Sequence, residues 1–180
     1  MTVLVGLRTP EGAVIGADSQ LNWGSTKIVG SKKLFELGRF FIGISGPARL
    51  GTLMLEAKAR IARVTTPAKL SKLLKELIEG DDWKMDDISN GPKISEMAVL
   101  VGVKSTGQVF WIDGGFSVEE VPVGQFIALG SGDDVATGAL AALDKLEPKE
   151  RVTRALEIAC LFNVYCGGEP IIREIGGQGE

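Results

Sequence analysis

MTVLVGLRTPEGAVIGADS, residues 1–19, places two short β-rich runs on either side of a turn. Thr2 follows Met1 directly, Val3, Val5 and Leu7 alternate with other residues, and Pro10, Glu11 and Gly12 interrupt the run. Residues 13–17 are apolar again and lead into Asp18 and Ser19. This pattern predicts a β-hairpin. Chain ends fray unless something ties them down, so a strand starting here would hold Thr2 in place. The returning strand would point the Asp18 carboxylate back to the same end. A threonine at a free N-terminus is a nucleophile whose own α-amine accepts the hydroxyl proton. The unperturbed amine pKa, roughly 7.7–8.0, suits a base at neutral pH. The chemistry requires loss of Met1, which a small residue in second place lets methionine aminopeptidase remove. The same letters are also an ordinary start for a cytosolic β-protein.

Working outward, the 180 residues are 44% hydrophobic and 24% charged, which fits one globular domain over 1–180 with a sizeable core. A net charge of −3 argues against nucleic-acid binding, which needs a clustered basic face. No apolar run reaches the roughly 20 residues that span a bilayer, and no signal-peptide pattern opens the sequence. Cys160 and Cys166 have no CxxC spacing, so neither a disulfide framework nor a zinc site is indicated. A cytoplasmic location follows as the expectation. Histidine is absent. Ser-His-Asp and Cys-His hydrolases are thereby excluded, as are imidazole-ligated metals. No G-x-x-x-x-G-K-[ST] loop occurs either. An enzyme built from this chain must use an amine or a carboxylate as its base.

Residues 21–25 read as a polar loop, followed by short strands over 26–29 and 33–37. FFIGIS, residues 40–45, is a nearly continuous apolar run and predicts a strand covered on both faces. Gly46-Pro47 stops it and opens a helix over 47–64, with Leu50, Leu53, Met54, Ala57 and Ile61 as its apolar stripe. A second helix over 67–79 repeats the pattern. Residues 80–92 (GDDWKMDDISNGP) read as the main loop. Strands over 96–103, 109–113, 119–123 and 126–129 are expected to form the second sheet. Helices over 133–145 and 148–162, a turn over 163–168 and a strand over 171–175 complete the chain, with a loose tail after 175. Strands and helices in segregated runs predict an α+β fold rather than an alternating one. Two sheets packed face to face, each with a helix pair outside, would satisfy every apolar face: a four-layer αββα sandwich.

The chain resembles the proteasome β-type subunits of the N-terminal nucleophile hydrolase family. In length and ending it is most similar to the bacterial HslV peptidase, and its mixed motif set also resembles a bacterial β-type homologue distinct from both the proteasome and HslV. Four segments carry the resemblance: Thr2 with Ala17-Asp18-Ser19, then Ser31-Lys32-Lys33-Leu34, Ile44-Ser45-Gly46, and Ala128-Leu129-Gly130-Ser131-Gly132. A fifth, from Phe162 to Gly168, falls where the family has a turn ending in glycines. The resemblance implies the αββα fold of two antiparallel sheets and a threonine-type endopeptidase with Thr2 as nucleophile. Lys33 matches the family's lysine, and Lys32 is the neighbour that a one-residue slip would choose. A cation beside an amine and a hydroxyl lowers the pKa of both. Asp18 would hold the lysine charged and oriented. Ser131 matches the serine near the threonine amine; its bland alternative is a helix N-cap. Gly46 matches the glycine whose N–H forms the oxyanion hole.

Two positions depart from the proteasome pattern, with Asn163 and Cys166 where those subunits usually carry Asp and Ser. HslV relatives lack that pair too. In them the corresponding turn donates backbone carbonyls to a monovalent cation, so the resemblance implies a possible sodium site at Cys160, Asn163 and Cys166; no other cofactor is required. Leu21, Phe35, Ile44 and Ala48 match the substrate pocket and are all apolar, so a hydrophobic residue before the cleaved bond is expected. The family further implies stacked homo-oligomeric rings of six or seven, protein and peptide substrates, and a separate AAA+ ATPase. Two rivals stand beside this reading. One is an inert ring or scaffold subunit that keeps Met1. The other is a small-molecule amidase, which would need pocket-closing insertions that this compact sequence lacks.

Overall fold

A computed structural model describes residues 2–23, 25–80 and 97–176. The expected hairpin is present: β1 (Val3–Thr9) and β2 (Gly12–Ala17) pair antiparallel from Leu4 opposite Ala17 to Thr9 opposite Gly12. β3 (Leu21–Trp23) and β4 (Thr26–Ile28) form a two-stranded ribbon. The sequence pattern predicts a loop over 21–25, because three-residue strands are too short for alternation to show. β5 (Leu34–Leu37) and β6 (Phe40–Ser45) follow as expected, and β6 is buried on nearly its whole length. The single helix expected over 47–64 is two, α1 (Ala48–Glu56) and α2 (Lys58–Ile61). They part at Ala57, whose ψ of 9° leaves the helical range although neither Gly nor Pro marks the spot. α3 (Pro67–Glu79) begins on the Thr66 side chain, which accepts from the Lys69 N–H. The loop expected over 80–92 lies, after residue 80, outside the described residues.

β7 (Ala98–Val103), β8 (Val109–Asp113) and β9 (Val118–Glu120) join β5 and β6 in a sheet of order β5-β6-β7-β8-β9. β10 (Phe126–Gly130) does not complete that sheet, as the sequence reading had it. It joins the other one, of order β10-β1-β2-β11, with Val3 opposite Gly130. The reason lies in β1. Val3, Leu4 and Val5 are all fully buried, so β1 has no solvent-facing side and serves as an interior strand, which needs a partner on each edge. β11 (Ile171–Ile175) takes the other side of β2, and α4 (Asp133–Ala142) and α5 (Pro148–Phe162) lie between β10 and β11 in sequence.

Three apolar layers hold these elements in four tiers. Leu50, Met54, Leu70 and Leu74 of α1 and α3 pack on Phe40, Ile42, Val99 and Val101. Leu4, Ile15, Leu100 and Val109 fill the space between the two sheets. Val3, Val5 and Leu7 meet Leu140, Val152 and Leu156 of α4 and α5. The alternation of β1 is thus shared between two cores, odd residues facing the helices and Leu4 facing the opposite sheet. The architecture is an αββα sandwich. Among the described residues, no helix is long and apolar enough to cross a membrane.

Candidate active site

The end of β2 delivers Asp18 into the sandwich, where it is fully buried. A buried carboxylate is tolerated only when donors surround it. Here Oδ1 accepts from the Val3 N–H at 3.0 Å, and Oδ2 from the Gln20 and Gly167 N–H groups at 3.2 and 3.1 Å. Lys33 Nζ reaches both oxygens, at 2.8 and 2.9 Å. Lys33 is itself buried and sits just before β5, its carbonyl accepting from the Ile44 N–H, so the β5–β6 ladder fixes the lysine's backbone. Lys32 points elsewhere: it is exposed, with Nζ 5.8 Å from the centre of the Phe35 ring. The pairing of β10 with β1 brings Ser131 to Thr2. The Thr2 nitrogen donates to Ser131 Oγ at 3.1 Å, and that hydroxyl lies 3.3 Å from the Thr2 carbonyl it donates to. Ser131 does not cap α4; Gly132 is its N-cap, without a side-chain bond.

Gly130 must be glycine. Its φ is +96°, and a Cβ there would stand 2.4 Å from the Thr2 carbonyl oxygen. Gly46, at the junction of β6 and α1, has φ +131° and little room against Met97. Thr2, Lys33 and Gly46 all border one cavity of about 390 Å³. The four residues expected to form a substrate pocket, Leu21, Phe35, Ile44 and Ala48, line the same cavity. The sequence reading missed Lys32 on its wall, and also Gly51, Thr52 and Leu55 of α1. The last three were findable: counted from Ala48 they fall at i+3, i+4 and i+7, one face of a helix. Two lysines and no carboxylate line the cavity among the described residues.

The turn after α5 supports Ser131 from behind. Asn163 Nδ2 donates to the Ser131 carbonyl, while its Oδ1 accepts from the Tyr165 N–H at 2.9 Å. Cys166 is buried with Sγ 3.7 Å from Ser131 Oγ. Burial pushes the Cys166 thiol up, and burial with the nearby Asp18 charge pushes Cys160 up to about 12. Both thiols are therefore neutral at physiological pH, so a cation at this turn would be held by backbone carbonyls; that of Asn163 accepts from the Cys166 N–H at 3.1 Å and keeps its second lone pair.

No protein-family model matches the chain. It is similar to the ATP-dependent protease subunit HslV of Campylobacter fetus subsp. fetus, 27% identical over 171 residues that cover 91% of this chain and 90% of that one. The Sulfurovum sp. subunit of the same name is 28% identical over 172 residues, 91% and 92% of the two chains. Among solved structures, Thiobacillus denitrificans BPH in complex with Epoxomicin superposes with a TM-score of 0.80 at 19% identity, covering 99% of this chain and 100% of that one. Sequence over nine-tenths of the chain and backbone over nearly all of it converge on one relationship: the chain is HslV-like and has the N-terminal nucleophile hydrolase fold of the proteasome-type subunits.

Proposed function

We propose that the chain is a threonine-type endopeptidase subunit, active once Met1 is removed. The observation that carries this reading is the position of the Thr2 nitrogen, 3.1 Å from Ser131 Oγ beside a cavity lined by Lys33, whose ammonium is paired with the buried Asp18. With Met1 gone that nitrogen is an α-amine. It takes the proton of the Thr2 hydroxyl as Oγ1 attacks the peptide carbonyl, and the Gly46 N–H steadies the oxyanion. The resulting ammonium protonates the leaving amine, and an ester to Thr2 remains. Water, deprotonated by the same amine, then hydrolyses the ester and restores the threonine. Lys33, held by Asp18, supplies positive charge near both groups and favours their deprotonated forms.

The apolar cavity favours a hydrophobic residue before the cleaved bond, and Lys32 and Lys33 on its wall disfavour a basic one. The names of the relatives, ATP-dependent protease subunits, support a protease subunit that depends on ATP and so on a separate ATPase; stacked rings of six or seven in the cytoplasm are the assembly and location we propose with it. Assembly also accounts for Leu161, Phe162, Val164 and Tyr165, large apolar side chains left exposed within five residues. The test is the intact mass of the purified protein before and after a peptide epoxyketone, which needs both the hydroxyl and the free amine of an N-terminal threonine. A mass lacking Met1 with one adduct per chain is expected. A chain that keeps Met1 and takes no adduct is an inert ring subunit instead.

A further inference from the structure

Gln20 lies between β2 and β3 and is buried, although it is not among the residues that line the cavity. A buried primary amide is destabilising unless its polar atoms find partners. Here Nε2 donates to Asn22 Oδ1 at 2.8 Å and to the Val164 carbonyl, 144 residues away, at 3.1 Å. Asn22 Nδ2 in turn donates to the Tyr165 carbonyl at 2.9 Å. A carbonyl can only accept, so the partners fix the orientation of both amides. The two side chains thus grip consecutive carbonyls of the turn after α5. Main-chain bonds run beside them: the Ser19 N–H donates to the Gly167 carbonyl at 3.0 Å, and the Gly167 N–H returns to Asp18 Oδ2. A Cβ at Gly167 would collide with the Gln20 amide oxygen, so the turn closes directly onto this side chain.

Apolar burial does little to place this turn. Leu161, Phe162, Val164 and Tyr165 are exposed, and from Leu161 to Cys166 only Cys166 is buried. Yet the turn supports the site from two directions. Asn163 Nδ2 donates to the Ser131 carbonyl, and the Gly167 N–H shares Asp18 Oδ2 with the Gln20 N–H. We infer that Gln20 is a positioning residue for the chemistry at Thr2. Its amide holds the 163–168 turn where Asn163 can fix Ser131 and Gly167 can complete the donor set around Asp18. A closed circuit results, running from Asp18 through Gln20 and the turn to Ser131, on to Thr2 and back through the Val3 N–H. In a low-dielectric interior the members of such a network support one another, so loosening one relaxes the rest. The inference rests on the peptidase reading for the reaction that is positioned, and on the hydrogen bonds alone for the clamp.

The experiment uses the full-length protein with Gln20→Met, which keeps length and bulk without a donor, and Gln20→Glu, which keeps the shape with acceptors only. Labelling with a peptide epoxyketone over a range of concentrations separates the maximal rate of adduct formation from the affinity for the probe. Gln20→Met should lower the maximal rate about tenfold, on the scale of one lost hydrogen bond, and Gln20→Glu at least as far. Affinity should change less than threefold, because Gln20 does not line the cavity, and the fraction of chains finally labelled should match the wild type. A merely structural role gives the reverse, fewer chains labelled at an unchanged rate, and that result overturns the inference. Asn163→Ala should slow labelling about tenfold alone but less than threefold in the Gln20→Met background; losses that multiply show that Gln20 does not act through the turn. Should neither Gln20 variant fold, Asn22→Ala frees the same turn from a half-buried side chain and is held to the same outcomes. Amide hydrogen exchange over residues 163–168 reads the clamp without any chemistry. Exchange at least tenfold faster in Gln20→Met, in a protein whose wild type takes no adduct, sustains the clamp and rejects the peptidase reading. Unchanged exchange rejects the clamp.

Discussion

Asp18 is held by three backbone N–H groups as well as by Lys33, so its removal disturbs more than one ion pair. Asp18→Ala removes the carboxylate shared by three N–H groups and the Lys33 ammonium and is expected to cost about 3–5 kcal/mol, read from urea unfolding. Asp18→Asn keeps the shape and isolates the charge. Its epoxyketone adduct should form at least a hundredfold more slowly, and labelling at the wild-type rate would remove the pair from the proposed machinery. Asn163 makes a sharper case. Its Oδ1 faces the Tyr165 N–H, so its Nδ2 must face the Ser131 carbonyl. The carboxylate that proteasome subunits carry at this position has no proton to donate there. Asn163→Asp should therefore slow adduct formation roughly tenfold at pH 7.5, the worth of one lost hydrogen bond replaced by repulsion. A faster variant would show that the amide is no part of Ser131's support. At this scale the hairpin pattern made Thr2 and Asp18 legible. It could not separate Lys33 from Lys32, since adjacent strand residues differ only in which face they take.

The junction of β10 with β1 is where an element positions chemistry. Gly130→Ala places a Cβ against the Thr2 carbonyl and forces a side chain into positive φ, a strain of about 1–3 kcal/mol. Thermal melts should show the loss of stability, and adduct formation at Thr2 should fall further than the melting temperature implies, because the strain falls on the Thr2–Ser131 contact. The C-terminal half of α5 carries a pH signal. Cys160 is raised to about 12 from an ordinary value near 9, so the folded state keeps its proton where the unfolded state releases it. Stability from this group is complete below pH 9 and is lost as pH climbs towards 12. Melting temperatures should decline above pH 9, with a shallower slope in Cys160→Ala; identical slopes would assign the decline to other groups. The two long helices were legible because Pro67 and Pro148 open them and their apolar stripes persist. The break at Ala57 was not, since no residue there prefers to end a helix.

For the whole molecule, native mass spectrometry should report a multiple of the 19.1 kDa chain, twelve or fourteen copies for two stacked rings. A monomer would leave the 161–165 strip uncovered and the ring reading without support. By itself the sequence determined what neighbouring residues can encode: the hairpin, the buried strand Phe40–Ser45, the helices Pro67–Glu79 and Pro148–Phe162, and the segregated order that makes four layers. Its motifs in series also pointed to a fold that the solved structures bear out. Tertiary structure alone decided that β10 lies beside β1 and that one face of α1 walls the cavity, and it seats Lys33, the lysine that the resemblance singled out, on Asp18. The physical reason is separation along the chain. Thr2 and Ser131 are 129 residues apart, and Asp18 and Gly167 are 149 apart. Periodicity and turn chemistry act over a few residues, whereas which strand fills an open sheet edge depends on packing the entire core at once.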